Sequence, residues 1–145
     1  MKLKHFMFLG LLLIIVSGCL TPGHLYIGSY HVKTKAAKNE SFRGEVKYIV
    51  SKIATDLKYN KTGKDDAPWG LNITMLPQFC QPESRPNKII VTWVSGSSYF
   101  DIGIVKEGPE EDEGTLRARS CTEKILKEHP EFQWEFSLDH RTMAR

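Results

Sequence analysis

The pattern of apolar residues predicts an α+β fold: a two-layer sandwich in which two helices pack on one face of an antiparallel or mixed four-stranded sheet. Three observations carry this. Apolar residues recur at helical spacing in residues 41–60 and 115–129. They alternate with period two in residues 69–75, 99–106 and 132–138. Residues 88–94 are apolar in both registers, as suits a central strand.

In chain order, Ser41 is the expected N-cap of the first helix, and Phe42, Val46, Ile49, Val50, Ile53 and Leu57 form its apolar stripe. Arg43, Glu45, Lys47, Lys52 and Asp56 fall on the other side, and the helix should end near Asn60, before the turn at Gly63. After Pro68, the residues Trp69, Leu71, Ile73 and Met75 define one face of a strand that Pro77 stops. Residues 78–87, with Pro82 and Pro86, read as a loop. The next two strands make a β-hairpin about Ser95, Gly96, Ser97 and Ser98, in which Phe100, Ile102 and Ile104 alternate with Asp101 and Gly103. The second helix holds Leu116, Cys121, Ile125 and Leu126, and Pro130 ends it. In the last strand Phe132, Trp134, Phe136 and Leu138 alternate with Gln133, Glu135, Ser137 and Asp139. The order is helix, three strands, helix, strand, in a single domain over residues 41–145.

The N-terminus carries a different signal. Lys2 and Lys4 precede an apolar run from Phe6 to Val16, and Ser17 and Gly18 then lead to Cys19, which is the order of an export signal. A membrane-crossing helix needs about 20 apolar residues. The run is shorter, so a cleaved signal is expected. The sequence Val16-Ser17-Gly18-Cys19 resembles the lipobox of bacterial lipoproteins, a likeness confined to the first twenty or so residues. It implies that residues 1–18 are removed, that the Cys19 thiol receives diacylglycerol, and that the new amino group is acylated, for example with palmitate. Leu20 in place of an aspartate resembles the residue that lets enterobacterial lipoproteins travel on, so the implied location is the periplasmic face of the outer membrane. One acyl chain binds a bilayer marginally and two or more hold it stably. The membrane is therefore an expected partner, through the anchor. Residues 19–40 read as lipidated N-terminus and tether, with one short strand around residues 25–32 and an end-to-end distance of about 25 Å. Lys33, Lys35 and Lys38 in this tether are placed to meet anionic head groups.

Composition and cysteine use narrow the functional classes. The chain has 20 Lys+Arg against 17 Asp+Glu, and without Lys2 and Lys4 the charges nearly cancel, so nucleic acid is not an expected partner. With Cys19 given to lipid, Cys80 and Cys121 are an even pair outside the cytosol and are expected to form a disulfide. No Cys-x-x-Cys or His-x-x-x-His spacing offers a zinc site, and the acidic run over residues 107–113 lacks the EF-hand pattern. Neither a Gly-x-Ser-x-Gly elbow nor a phosphate-cradling glycine loop is present. Asp139-His140-Arg141 reads as a surface turn whose neighbours point to opposite faces. Glu135 and Asp101 form a carboxylate pair only if their strands adjoin. No catalytic residue, metal or cofactor is assigned.

Aromatic residues on an incompletely covered sheet face suggest an interface, so Trp93 and Tyr99 are candidate partner-binding residues. Glu110, Glu111 and Asp112 are candidates in the acidic loop. The expectation is a non-catalytic, lipid-anchored periplasmic protein-binding module, accessory to an envelope assembly or secretion system, with an envelope protein as partner. Alternatives are an inhibitor or immunity lipoprotein that blocks a toxin or hydrolase with the acidic loop, and a carrier of a small apolar ligand in a cavity between sheet and helices.

Overall fold

The alternation that begins at Tyr26 builds a long sheet strand where a tether with one short strand around residues 25–32 was expected. The computed structural model describes residues 23–34, 40–78, 87–108 and 111–143. They form β1 (Gly23–Thr34), α1 (Glu40–Leu57), β2 (Tyr59–Ala67), β3 (Gly70–Pro77), β4 (Lys88–Val94), β5 (Tyr99–Glu107), α2 (Glu113–Lys127) and β6 (Phe132–Met143). The strands make one sheet in the order β2-β3-β4-β5-β1-β6, with every neighbouring pair antiparallel. The α+β class stands, but the four-stranded sheet is corrected to six strands, and none of the pairings is parallel.

The two additional strands hide for different reasons. In β1 the core positions are Tyr26, Gly28, Tyr30 and Val32, alternating with the half-exposed Ile27, Ser29 and His31. Tyrosine and glycine do not announce a core. Here the tyrosine rings fill it, and Gly28 is small because a Cβ there would meet the Phe136 ring at 3.0 Å. β1 lies between β5 and β6, paired from Leu25↔Glu107 to Lys33↔Tyr99 on one side and from Gly23↔Met143 to Thr34↔Phe132 on the other. Residues 23–34 are therefore part of the domain, and the tether expected over residues 19–40 is corrected at these positions. Lys33 stands within the sheet, while Lys35 and Lys38 lie outside the described residues. β2 is an edge strand, paired with β3 alone among the described residues. Its register shifts between Lys61 and Gly63. A bulge and lysines keep such an edge from pairing with other chains.

Both helices cover the same side of the sheet. The stripe predicted for α1 is buried throughout, and Phe42 is its hub, with ring centroids 5.9 Å from Phe100, 6.0 Å from Trp93 and 6.5 Å from Phe132. α1 begins at Glu40, so Ser41 lies inside its first turn rather than capping it. α2 is capped by Asp112, whose side chain accepts from the Thr115 N–H at 2.8 Å while the Thr115 hydroxyl accepts from the Asp112 N–H at 2.8 Å. Thr115, Ala118, Thr122, Ile125 and Leu126 of α2 are buried. Beneath the helices lie Leu71, Ile73 and Met75 of β3, Ile89, Val91 and Trp93 of β4, and Phe100, Ile102 and Ile104 of β5. Among the described residues no helix is long and apolar enough to cross a membrane.

Candidate functional site

Because side chains alternate along a strand, the residues that do not enter the core form a second sheet face, and neither helix covers it. The register arranges this face in rows. One runs Glu135, His31, Asp101, Thr92 and Asn72 across β6, β1, β5, β4 and β3. His31 thus sits between two carboxylates, and its Nδ1 lies 2.7 Å from an Asp101 oxygen. Glu135 and Asp101 do not adjoin, since β1 separates β6 from β5. Lys33 Nζ lies 3.5 Å from Glu135, and the ring of Tyr99 is 4.8 Å from that of His31. The row above is small and weakly polar: Ser137, Ser29, Gly103, Ile90 and Thr74.

The two ends of the sheet differ in character. At the end where β1 starts, Gly23 is paired with Met143 and Leu25 with Glu107, and Tyr59 is paired with Pro77. At the opposite end, Gly70 faces Val94 and Lys33 faces Tyr99. There the large apolar side chains Trp69, Val94 and Tyr99 are 69%, 56% and 42% exposed. Trp69 belongs to the turn between β2 and β3 rather than to the buried face of β3, on which Leu71, Ile73 and Met75 do lie. It borders a shallow hollow of about 260 Å³ whose other exposed side chains are Asn72, Thr92 and Val94, with the buried Gly70, Leu71 and Trp93 in the wall.

The residues singled out in the sequence divide between surface and interior. Tyr99 is on the open face. Trp93 is corrected: it is 3% exposed, on the helix-covered side, with its indole N–H donating to the Ser97 carbonyl at 3.2 Å. In the acidic loop, Glu110 lies outside the described residues. Glu111 accepts from the Tyr26 hydroxyl and from Arg119 Nη1, each at 2.7 Å, and Asp112 both caps α2 and pairs with Lys106 at 2.8 Å. Cys121 is half-buried on α2 with a free thiol, and burial, then the nearby Asp56 charge, raise its pKa. Cys80 and Cys19 lie outside the described residues. Asp139, His140 and Arg141 continue β6 rather than forming a turn. Among the described residues no group of three or more His, Cys, Asp or Glu side chains could hold a metal.

One cluster was read from the sequence only through Glu111, and then as a surface group. Arg119 links Glu111 to Glu123, which accepts from the Tyr30 hydroxyl at 3.0 Å, and its guanidinium lies 4.2 Å from the centre of the Phe136 ring. Burial, then the bond to Glu111, push the Tyr26 phenol up to about 12, and burial, then Glu123, push Tyr30 up as well. The hydrogen bond to Glu111 raises Arg119 in turn. These groups fasten α2 to β1. Tyrosines at positions 26 and 30, four apart and therefore on one face of a strand, were the available signal, masked by the apparent tether. Compared with protein-family models and with curated proteins, the chain matches none.

Proposed function

We propose that this chain is a non-catalytic, lipid-anchored binding module on the periplasmic face of the bacterial outer membrane. It holds an envelope protein at the sheet end furthest from its anchor, as an accessory of an assembly or secretion system. The supporting observation is the register. Gly23, four residues beyond Cys19, is at one end of the sheet, and Val94 and Tyr99 are at the other. Four residues reach at most about 14 Å, whereas a strand the length of β1 spans about 40 Å. An anchor at Cys19 keeps one end near lipid and turns the other away from it. Tyr99 and Val94 supply the aromatic and aliphatic centre that interfaces favour, and the His31–Asp101 and Lys33–Glu135 pairs supply a polar rim.

The alternatives draw less support. Glu111 and Asp112 are engaged inside the fold, which leaves the acidic loop poorly equipped as an inhibitory plug. The space beneath the helices is filled by Phe42, Phe100 and Phe132 and their neighbours, which does not favour a carrier.

The test is photo-crosslinking in intact bacterial membranes, with a reactive side chain placed in the full chain at position 94, 99 or, as a control, 127 on the exposed side of α2. Adducts to one envelope protein from positions 94 and 99, with none from 127, are expected. Adducts from 127 alone, or none from 94 and 99, would overturn the assignment.

A further inference from the structure

Trp69 is held in place far more firmly than an exposed turn residue needs. Arg43 donates to the Asp66 carboxylate at 3.0 Å and to the carbonyls of Ala67 and Pro68 at 2.9 and 3.3 Å. Lys47 reaches the other Asp66 oxygen at 2.6 Å, and the Ser95 N–H donates to the Trp69 carbonyl at 2.7 Å. The turn is thus tied to α1 and to the neighbouring hairpin, while the indole it carries stays 69% exposed. Gly70 completes the arrangement. With φ at +156° and a would-be Cβ only 2.2 Å from the Trp93 carbonyl oxygen, no side chain fits there, and the wall of the hollow stays bare.

The lining of that hollow defines what suits it. Among the described residues its exposed side chains are the Trp69 indole, the Asn72 amide, the Thr92 hydroxyl and the Val94 isopropyl group, none of them charged, so a phosphate or carboxylate would find no counter-charge there. At about 260 Å³ it lies below the roughly 300–1,000 Å³ of pockets for drug-sized ligands, which suits a single ring. An apolar protein side chain seated there would cover Asn72 and Thr92 without bonding them, and a polar group buried without a partner costs about 1–3 kcal/mol. A sugar ring avoids this. One of its faces presents C–H groups to the indole and its hydroxyls serve the amide and the Thr92 hydroxyl.

We propose that the hollow formed by Trp69, Asn72, Thr92 and Val94 is a subsite for one ring of a neutral glycan, stacked on Trp69. The proposal rests on the lining and not on the protein-binding assignment; the two share Val94, and the titration below and the crosslinking test them separately.

The experiment titrates the full chain in detergent with a β-1,4-linked tetramer of N-acetylglucosamine, and separately with maltotetraose, following the three indole N–H signals by NMR. The Trp69 signal is expected to shift saturably with at least one of the two while that of the buried Trp93 stays in place. A response to both assigns a general neutral pyranose site. A response to the tetramer alone assigns an acetamido sugar, and one to maltotetraose alone a plain hexose. Trp69→Ala should weaken binding about tenfold or more, Trp69→Phe less, and Asn72→Ala measurably, with dispersed spectra showing that each variant is folded. No shift at millimolar concentrations of either sugar, or unchanged affinity in a folded Trp69→Ala variant, would overturn the proposal, whatever the crosslinking finds.

Discussion

Glu111 accepts hydrogen bonds at 2.7 Å from two donors, the Tyr26 hydroxyl and Arg119, on the inner side of α2. Removing its carboxylate in Glu111→Ala should cost about 1–3 kcal/mol, the range for losing hydrogen bonds to a charged group. Urea unfolding with an unchanged slope checks this. The same contacts set a pH dependence. The Arg119 hydrogen bond, then that of Tyr26, hold Glu111 below its ordinary 4.5. At Asp112 burial pushes upward but is outweighed by Lys106 and Thr115, so that group is lowered as well. Both folded-state values are depressed, so this stability is complete above about pH 4.5 and is lost as pH falls through the lowered values. Tyr26 acts in the opposite sense. Its contribution is present below its ordinary 10.0 and is lost as pH rises through about 12. Unfolding free energy measured from pH 7 down to pH 3 should therefore decline, and the decline should be shallower in Glu111→Gln. A decline of the same steepness in both proteins would remove Glu111 from the account. Gly70→Ala tests the tight hairpin: a Cβ 2.2 Å from backbone oxygen, at a φ suited to glycine, should cost about 1–3 kcal/mol.

The elements best read from the sequence are those whose burial is carried by aliphatic residues. Val46, Ile49, Val50, Ile53 and Leu57 announced α1, and Ile89, Val91, Ile102 and Ile104 announced β4 and β5, because one-sided burial and residue type agree there. β1 was read only as a short strand within a tether because Tyr26 and Tyr30 place their rings in the core and their hydroxyls on Glu111 and Glu123, a use that composition does not reveal. β2 failed to appear because an edge strand has little to bury: of its described side chains only Ala67 is buried. The tryptophans were misjudged together. Trp93 is in phase with Ile89 and Val91, so its burial was legible, whereas Trp69 is in phase with Leu71 but stands in a turn that phase alone does not expose. The acidic loop was read as a surface segment for a partner, and not as the cap of α2 and a donor of internal ties. At this scale the expected Cys80–Cys121 bond is also testable. Gln78 and Asn87, which bracket the segment holding Cys80, line one cleft with Gly114 and Arg117, the latter about one helical turn before Cys121. Peptide mapping of protein from the envelope without reductant should recover the linked pair, and reduction should lower stability by about 4 kcal/mol, as estimated for a loop of about 40 residues. Quantitative alkylation of Cys121 in that unreduced protein would contradict the bond.

For the whole molecule, a sheet covered by helices on one face only has a defined polarity once one corner is fixed. β1 supplies that corner, since its first residue is four positions from the expected lipid attachment and its last lies beside the hairpin that bears Tyr99. The helix-covered side contributes rigidity and the open side contributes exposed groups, so in the proposed function the sheet acts as a post that carries its contacts at one end. The most direct test places a fluorophore in the full lipidated chain at position 107 or at position 69, reconstitutes it in vesicles, and measures quenching by a lipid-borne quencher. Strong quenching at position 107 with little at position 69 is the predicted result. Equal quenching at the two positions, or stronger quenching at position 69, would contradict an anchor at one end and a binding end held away from the bilayer.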